Sequence, residues 1–240
     1  MELPKITVPT YIVTLPSNGA RHRVRPFLVK EEKMLMMAVE SKDPFDMINT
    51  TRQVIVNCLV DDDLDIDKIP FFDVDYLLVV LRAKSVSETI DINFQCNNAV
   101  EGEVCGSVFP VTLDILSSEL VKDEGMVEKI ELGGGIGAKM KYPSYADVKS
   151  ISALPDVDQK IRFIQKCVDY LYDANQIYPS KDMDDAAFST FVDGLTQAQF
   201  EKLENWVDNL PSLVILSEKK CEKCGFDHKI RYRNLDSFFL

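Results

Sequence analysis

Cysteine is the residue type in this 240-residue chain whose spacing could carry chemistry, and there are six of them. Cys221-Glu-Lys-Cys224-Gly225 is a C-x-x-C-G knuckle between two β-rich stretches, and Cys96 with Cys105-Gly106 occupies the turn between two others. Each half reads strand, cysteine turn, strand. Two such halves supply the four thiolates of a tetrahedral zinc site of the zinc-ribbon kind. A glycine after the second cysteine suits that turn, because a tight bend often needs positive φ. The expected ligands are Cys96, Cys105, Cys221 and Cys224, and the expected cofactor is a structural Zn2+. Four thiolates leave no coordination position for water or substrate, so such a metal stabilises the fold without doing chemistry. His228 lies close to the second knuckle and is left out, because four thiolates already complete the set.

The first half departs from a compact knuckle. Residues Asn97 to Val104 separate Cys96 from Cys105, against the roughly two to four residues usual between such ligands. They read as a polar loop inserted into the turn, and metal-free thiols stay open as an alternative. A thioredoxin-like redox reading of Cys221 and Cys224 lacks the βαβ unit it requires. Cys58 and Cys167 sit within or beside apolar helical stripes and are expected to be small buried hydrophobes.

Other candidate chemistry is thinner. Neither His22 nor His228 pairs with a nucleophile motif, and G-x-S-x-G, H-E-x-x-H and kinase loops are all missing, so catalysis is not expected. The acidic run Asp61 to Asp67 superficially resembles a calcium loop, but Ile66 stands where Gly is required and Phe72 where Glu is. A solvated acidic loop is the better reading. Leu132-Gly-Gly-Gly-Ile-Gly137 has neither dinucleotide nor P-loop spacing, which leaves a hairpin turn or a mobile loop.

Periodicity sets out the strands and helices around the cysteines. A hairpin is expected over 9–28, with Pro16-Ser-Asn-Gly19 as its turn. Helices are expected from Glu31 to Ser41, Phe45 to Val60 and Phe72 to Ala83, the first broken by Asp43-Pro44. Strands alternate over Glu88 to Phe94 and Val108 to Ile115, with weaker ones around 132–137. From Ser144 the pattern turns helical: Ser144-Tyr-Ala-Asp147 resembles a cap, and Val157, Ile161, Ile164, Val168 and Leu171 form a stripe. Thr196-Gln-Ala-Gln199 is a capping box before Phe200, Leu203, Val207 and Leu210, with Trp206 at the edge of that face. Strands return over 212–216 and 229–233.

The fold class is therefore α+β. We expect an N-terminal hairpin and helical region over 1–87, a discontinuous zinc-ribbon-like β module over 88–143 and 211–240, and a helical insertion over 144–210.

Composition limits the partners. With 39 Asp+Glu against 27 Lys+Arg the net charge is −12, which opposes approach to nucleic acid or anionic lipid. The N-terminus shows no basic-then-apolar signal, and no run reaches the ~18–20 apolar residues of a spanning helix. A cytosolic, reducing setting is expected, where paired cysteines are more often ligands than disulfides. The competing reading is a zinc-ribbon nucleic-acid-binding regulator. Its support is Lys219, Lys220, Lys223, Lys229, Arg231 and Arg233, set against Glu222 and Asp227 in the same stretch.

Leu3-Pro4, Val8-Pro-Thr-Tyr11, Leu15-Pro-Ser-Asn-Gly19, Arg25-Pro-Phe-Leu-Val-Lys-Glu-Glu-Lys33, Leu81-Arg-Ala-Lys-Ser-Val-Ser-Glu88 and Lys141-Tyr-Pro143 resemble the baseplate protein family of T-even-type contractile-tailed bacteriophages. Arg-Pro-Phe followed by Lys-Glu-Glu-Lys is the most specific piece. The resemblance implies a small protein of the central baseplate hub, either a structural subunit or an assembly factor. It implies other hub and tail proteins as partners, no catalytic reaction, and a location in the virion baseplate or in an assembly intermediate in the host cytoplasm. The charged hairpin, Met34, Met36 and Met37, and the helix bearing Trp206 can supply contact surface for such partners, but ordinary core is the favoured reading for each.

Overall fold

Tyr11–Thr14 (β1) and Arg21–Val24 (β2) pair antiparallel, and Gly19 takes φ +72° in the turn that joins them. The computed structural model describes residues 6–61, 63–123, 125–152, 154 and 156–233, with backbone alone over 156–158. Leu3-Pro4 and the N-terminal signal test, Asp62 of the acidic run, the Val157 side chain and the segment 234–240 lie outside the described residues. The architecture is α+β, with seven α-helices and several small antiparallel sheets among the described residues.

After the hairpin come helices Val29–Ser41 (α1), Pro44–Cys58 (α2) and Phe71–Ser85 (α3). Asp43 caps α2 by accepting from the Phe45 N–H at 2.9 Å, and Pro44 fills the first helical position where no donor is needed. Strands Thr89–Gln95 (β3), Ala99–Val100 (β4), Glu103–Val104 (β5), Val108–Asp114 (β6) and Glu119–Val121 (β7) follow. Next are Lys129–Gly133 (β8), Ile136–Met140 (β9), Tyr145–Ser152 (α4), Asp156–Cys167 (α5), Val168–Tyr172 (β10) and Ile177–Pro179 (β11). Asp185–Asp193 (α6), Gln197–Asp208 (α7), Ser212–Lys220 (β12) and Asp227–Tyr232 (β13) complete the order.

The chain forms two compact units, one of Met1–Leu64, Asp75–Val121 and Ser212–Leu240, the other of Asp65–Val74 and Lys122–Pro211. In the first, β3 pairs with β6 and β12 lies between β13 and β7. β6 alternates strictly, burying Phe109, Val111 and Leu113 while Val108, Pro110 and Thr112 face outward. Those buried residues join Val79 and Ala83 of α3 and Leu213, Ile215 and Ile230 in one core that also contains Cys96 and Cys221.

The sequence motif Arg25-Pro-Phe…Glu31 is a buried polar joint in this unit. The Arg25 guanidinium donates to Glu31 Oε1 at 3.0 Å, to the Asn57 carbonyl at 2.7 Å and to the Pro26 carbonyl at 2.9 Å. Glu31 Oε2 accepts from the Leu28 N–H at 2.8 Å, closing the first turn of α1, and the Arg25 N–H donates to the Cys58 carbonyl at 2.8 Å. One ion pair thus fastens β2, the start of α1 and the end of α2.

The second unit holds the sheet β11-β10-β9-β8, so the weak strands around 132–137 pair here. The stretch 144–210 is not helical throughout. The stripe that includes Val168 and Leu171 breaks at Cys167, and Val168-Asp-Tyr-Leu-Tyr172 runs as β10 against β9. Val168 and Leu171 satisfy the i, i+3 spacing of a helix by coincidence; a bulge between Val168 and Tyr170 lets both point inward from a strand.

The edge of β8 is covered by α7: Gln199 Nε2 donates to the Leu132 carbonyl and Lys202 Nζ to the Glu131 carbonyl, each at 2.7 Å. Gln199 also closes the capping box, with Oε1 accepting from the Thr196 N–H at 2.8 Å. Ser144 and Asp147 cap α4 in the same reciprocal manner. Trp206 is buried; its indole N–H donates to the Val127 carbonyl at 3.0 Å and its ring stacks on Tyr142. It belongs to the core of this unit.

Candidate metal centre

The pairing of β3 with β6 runs from Thr89↔Asp114 to Gln95↔Val108, which leaves Cys96 as the first residue beyond the ladder. The polar loop expected between Cys96 and Cys105 is a miniature hairpin. β4 and β5 pair as Ala99↔Val104 and Val100↔Glu103, and the two turn residues Glu101 and Gly102 both take positive φ, at 52° and 90°. That is the combination a two-residue primed turn requires. The Cys105 N–H donates to the Asn98 carbonyl at 2.8 Å and returns the chain beside its starting point. The excursion therefore adds length without separating the two cysteines.

The two knuckles are then built alike. In the first, the Cys96 N–H donates to the Ser107 carbonyl at 2.8 Å and the Gly106 N–H to the Cys96 carbonyl at 3.1 Å. In the second, the Cys221 N–H donates to the Phe226 carbonyl and the Gly225 N–H to the Cys221 carbonyl, both at 2.8 Å. Gly106 and Gly225 take φ of 63° and 74°, the left-handed conformation in which a side chain would be strained.

This geometry brings together all four cysteines named from the sequence. Their sulfurs lie within 4.8 Å of one another. The Cys96–Cys224 separation is 3.6 Å and the Cys105–Cys221 separation 4.0 Å, far beyond bonding distance, and all six cysteines are free thiols. Thiolates on one tetrahedral zinc, each ~2.3 Å from the ion, stand ~3.8 Å apart. The donor set and its spacing fit a metal ion of that size and softness.

Electrostatics follows position. Burial, reinforced by the neighbouring sulfurs, pushes the Cys96 thiol up to about 12, although the Asn98 backbone N–H acts the other way. The Phe226 backbone N–H, with contacts from Cys96, Cys221 and Asn98, brings Cys224 down to about 7 against the pull of burial. A divalent cation bound here would supply the positive charge that offsets the burial of Cys96.

Three residues outside the sulfur set face it. His228, left out of the ligand set on sequence grounds, is buried, with Nε2 3.1 Å from Cys96 Sγ. Asn98 Nδ2 donates to Cys224 Sγ at 3.7 Å, and Lys223 Nζ donates to the Cys105 carbonyl at 3.2 Å. Asn98 carries only a positional signal in the sequence, two residues after a cysteine, and Lys223 none beyond lying inside the knuckle.

The remaining candidates fall elsewhere. Cys58 and Cys167 are fully buried, and burial pushes both thiols up, Cys58 to about 11. Three carboxylates of the acidic run turn to different partners: Asp61 to Arg23, Asp63 to His22 and Asp65 to Lys68. The glycine cluster is the β8–β9 hairpin turn, with Gly133, Gly134 and Gly135 all at positive φ. No helix among the described residues is long and apolar enough to cross a membrane.

Fold and site together define an α+β protein with a zinc-ribbon-like module assembled from two distant parts of the chain. The chain belongs to the T4 bacteriophage base plate protein family, whose model matches residues 8–240. No curated protein and no solved structure matches it.

Proposed function

We propose that this chain is a non-enzymatic protein of the contractile-tail baseplate hub, a structural subunit or an assembly factor, and that its four cysteines hold a structural Zn2+. Membership of the base plate family across residues 8–240 is the observation that carries the reading. The chemistry of the site supports it. A complete set of four thiolates offers a reacting molecule no open position, and its natural work is to hold two knuckles together. The partners in this reading are other hub and tail proteins, met in the virion baseplate or in intermediates in the host cytoplasm.

The surface supports a protein partner. Ile12 on β1 and Val29, Met36 and Met37 on α1 are exposed, Met37 to 70%. Methionines adapt to varied contact surfaces. Mass spectrometry of purified tails and of hub precursors from infected cells tests the role. Recovery from finished tails identifies a subunit, recovery from precursors alone identifies an assembly factor, and recovery from neither overturns the proposal.

A further inference from the structure

His228 is the buried group whose surroundings ask most plainly for an explanation. It is 4% exposed, and its ring packs against Phe94, Phe109 and Phe226, with centroids 5.1, 6.0 and 4.9 Å away. A phenylalanine would fill that aromatic nest equally well on apolar grounds. An imidazole there carries two ring nitrogens out of water, which costs free energy unless they are used. One of them, Nε2, is aimed at Cys96 Sγ from 3.1 Å.

We propose that His228 is an outer-shell positioning residue of the metal centre, its Nε2–H donating to the Cys96 thiolate while Cys96 remains the ligand. The proposal rests on the zinc reading above. Two distances support donation over direct ligation. A nitrogen and a sulfur bound to one tetrahedral zinc stand ~3.5 Å apart for ordinary bond lengths, whereas 3.1 Å is the shorter separation of a hydrogen-bonded pair. The donor atoms mutually within 4.8 Å are the four sulfurs, without a nitrogen of His228.

The chemical need is clear. Four thiolates around a divalent cation carry a net charge of −2 at a site where Cys96 and Cys221 are buried. N–H groups pointed at sulfur spread that charge and fix the orientation of the thiolate. Asn98 Nδ2 does the same for Cys224, at the longer distance of 3.7 Å. The tautomer required is Nε2–H, or the imidazolium; a ring protonated only at Nδ1 would point a lone pair at the thiolate.

Full-length protein loaded with Co2+ or Zn2+ gives the test, with His228→Phe removing the donor and keeping the aromatic packing, and His228→Gln keeping an N–H donor. Wild type should bind one ion, with the absorption of a four-thiolate cobalt centre. His228→Phe should still bind one ion, with affinity lowered about 10- to 100-fold in chelator competition, as for loss of other outer-shell partners. Its thiolate-to-cobalt charge-transfer band should shift, and His228→Gln should recover part of both effects. If wild type binds no metal, the zinc reading itself fails. If wild type binds metal and His228→Phe matches it in affinity and spectrum, His228 is only packing and the proposal is overturned. A wild-type spectrum of three thiolates and one nitrogen overturns it too, by making His228 a ligand. Should His228→Phe not fold, His228→Leu, which also lacks a donor, is read against His228→Gln in the same two assays, and equal affinity and spectrum in that pair overturn the proposal.

Discussion

Glu31→Gln should unfasten the joint between β2, α1 and α2 at a cost out of proportion to a one-atom change. The Glu31 side chain is fully buried and the Arg25 side chain only 19% exposed, so Glu31 has no water to fall back on and Arg25 little. At the 3.0 Å separation of Arg25 and Glu31, two unit charges attract with about 5.5 kcal/mol before desolvation, at an effective dielectric of about 20. The amide oxygen that replaces the carboxylate can still accept from the Leu28 N–H, so the cap survives and only the charge is lost. Arg25 is then left partly buried beside neutral carbonyls, and breaking a buried pair from one side costs about 3–5 kcal/mol. Arg25→Met should cost a similar amount. The double variant should cost less than the sum by about 1–3 kcal/mol, because neither charge is stranded.

Urea denaturation of the four proteins reads these values, and pH supplies an independent arm. Burial alone would raise the Glu31 pKa, but hydrogen bonds from Arg25 and the Leu28 N–H, with Lys30 nearby, hold it below the ordinary 4.5. A carboxyl depressed in the folded state contributes stability that is fully present above its unfolded value and is lost as pH falls through the folded one. Wild type should therefore lose its advantage over Glu31→Gln as pH drops below about 4.5. Additive single variants, a Glu31→Gln cost under about 1 kcal/mol, or a wild-type advantage that grows in acid would each show that Arg25 and Glu31 are not a coupled buried pair.

The other predictions concern metal, strand and core. Cys221→Ser and Cys96→Ser should each lower zinc content and melting temperature together, measured by metal analysis and calorimetry; unchanged metal and melting in either would remove the paired-knuckle site. Gly137→Ala should destabilise by about 1–3 kcal/mol in denaturant titration, because its Cβ would collide with the Tyr172 hydroxyl and fall 2.7 Å from the Ile130 carbonyl; a neutral result would mean that β9 can shift. Trp206→Ala should cost about 3–5 kcal/mol by the same assay, through cavity creation, and a cost below about 1 kcal/mol would place the indole outside the core.

Much of the fold is legible where one short stretch determines its own geometry. The glycines after Cys105 and Cys224, the caps at Ser144 and Thr196, and the alternation of Val108 to Ile115 each declare a local conformation that the chain adopts. What escapes depends on pieces far apart. Nothing in Val168-Asp-Tyr-Leu-Tyr172 excludes a helix until β9 offers it a ladder. The inserted residues after Cys96 look like a loop until Glu101 and Gly102 are seen as a primed turn. Arg25 and Glu31 stand out in the sequence as a family signature, yet their physical reason includes the Asn57 carbonyl, which no local pattern connects to them. His228 is visible by proximity and set aside by ligand counting, since counting ligands does not ask what orients them.

The strand pair β7–β12 has a consequence for how this chain is made. Val121 and Ser212 are register partners, so the backbone leaves the first unit and re-enters it at adjoining points. Synthesis runs from the N-terminus, and Cys96 and Cys105 emerge long before Cys221 and Cys224, with Cys224 lying 128 positions after Cys96. During that interval β7 waits with the edge meant for β12 unpaired, and two thiols stand without their counterparts. Residues 122–211 can meanwhile collapse onto their own sheet, which brings the late strand back toward the early one and shortens the loop still to be closed. The order of translation therefore makes the last hairpin the latch, and a ribosome stalled before Cys221 holds an open one.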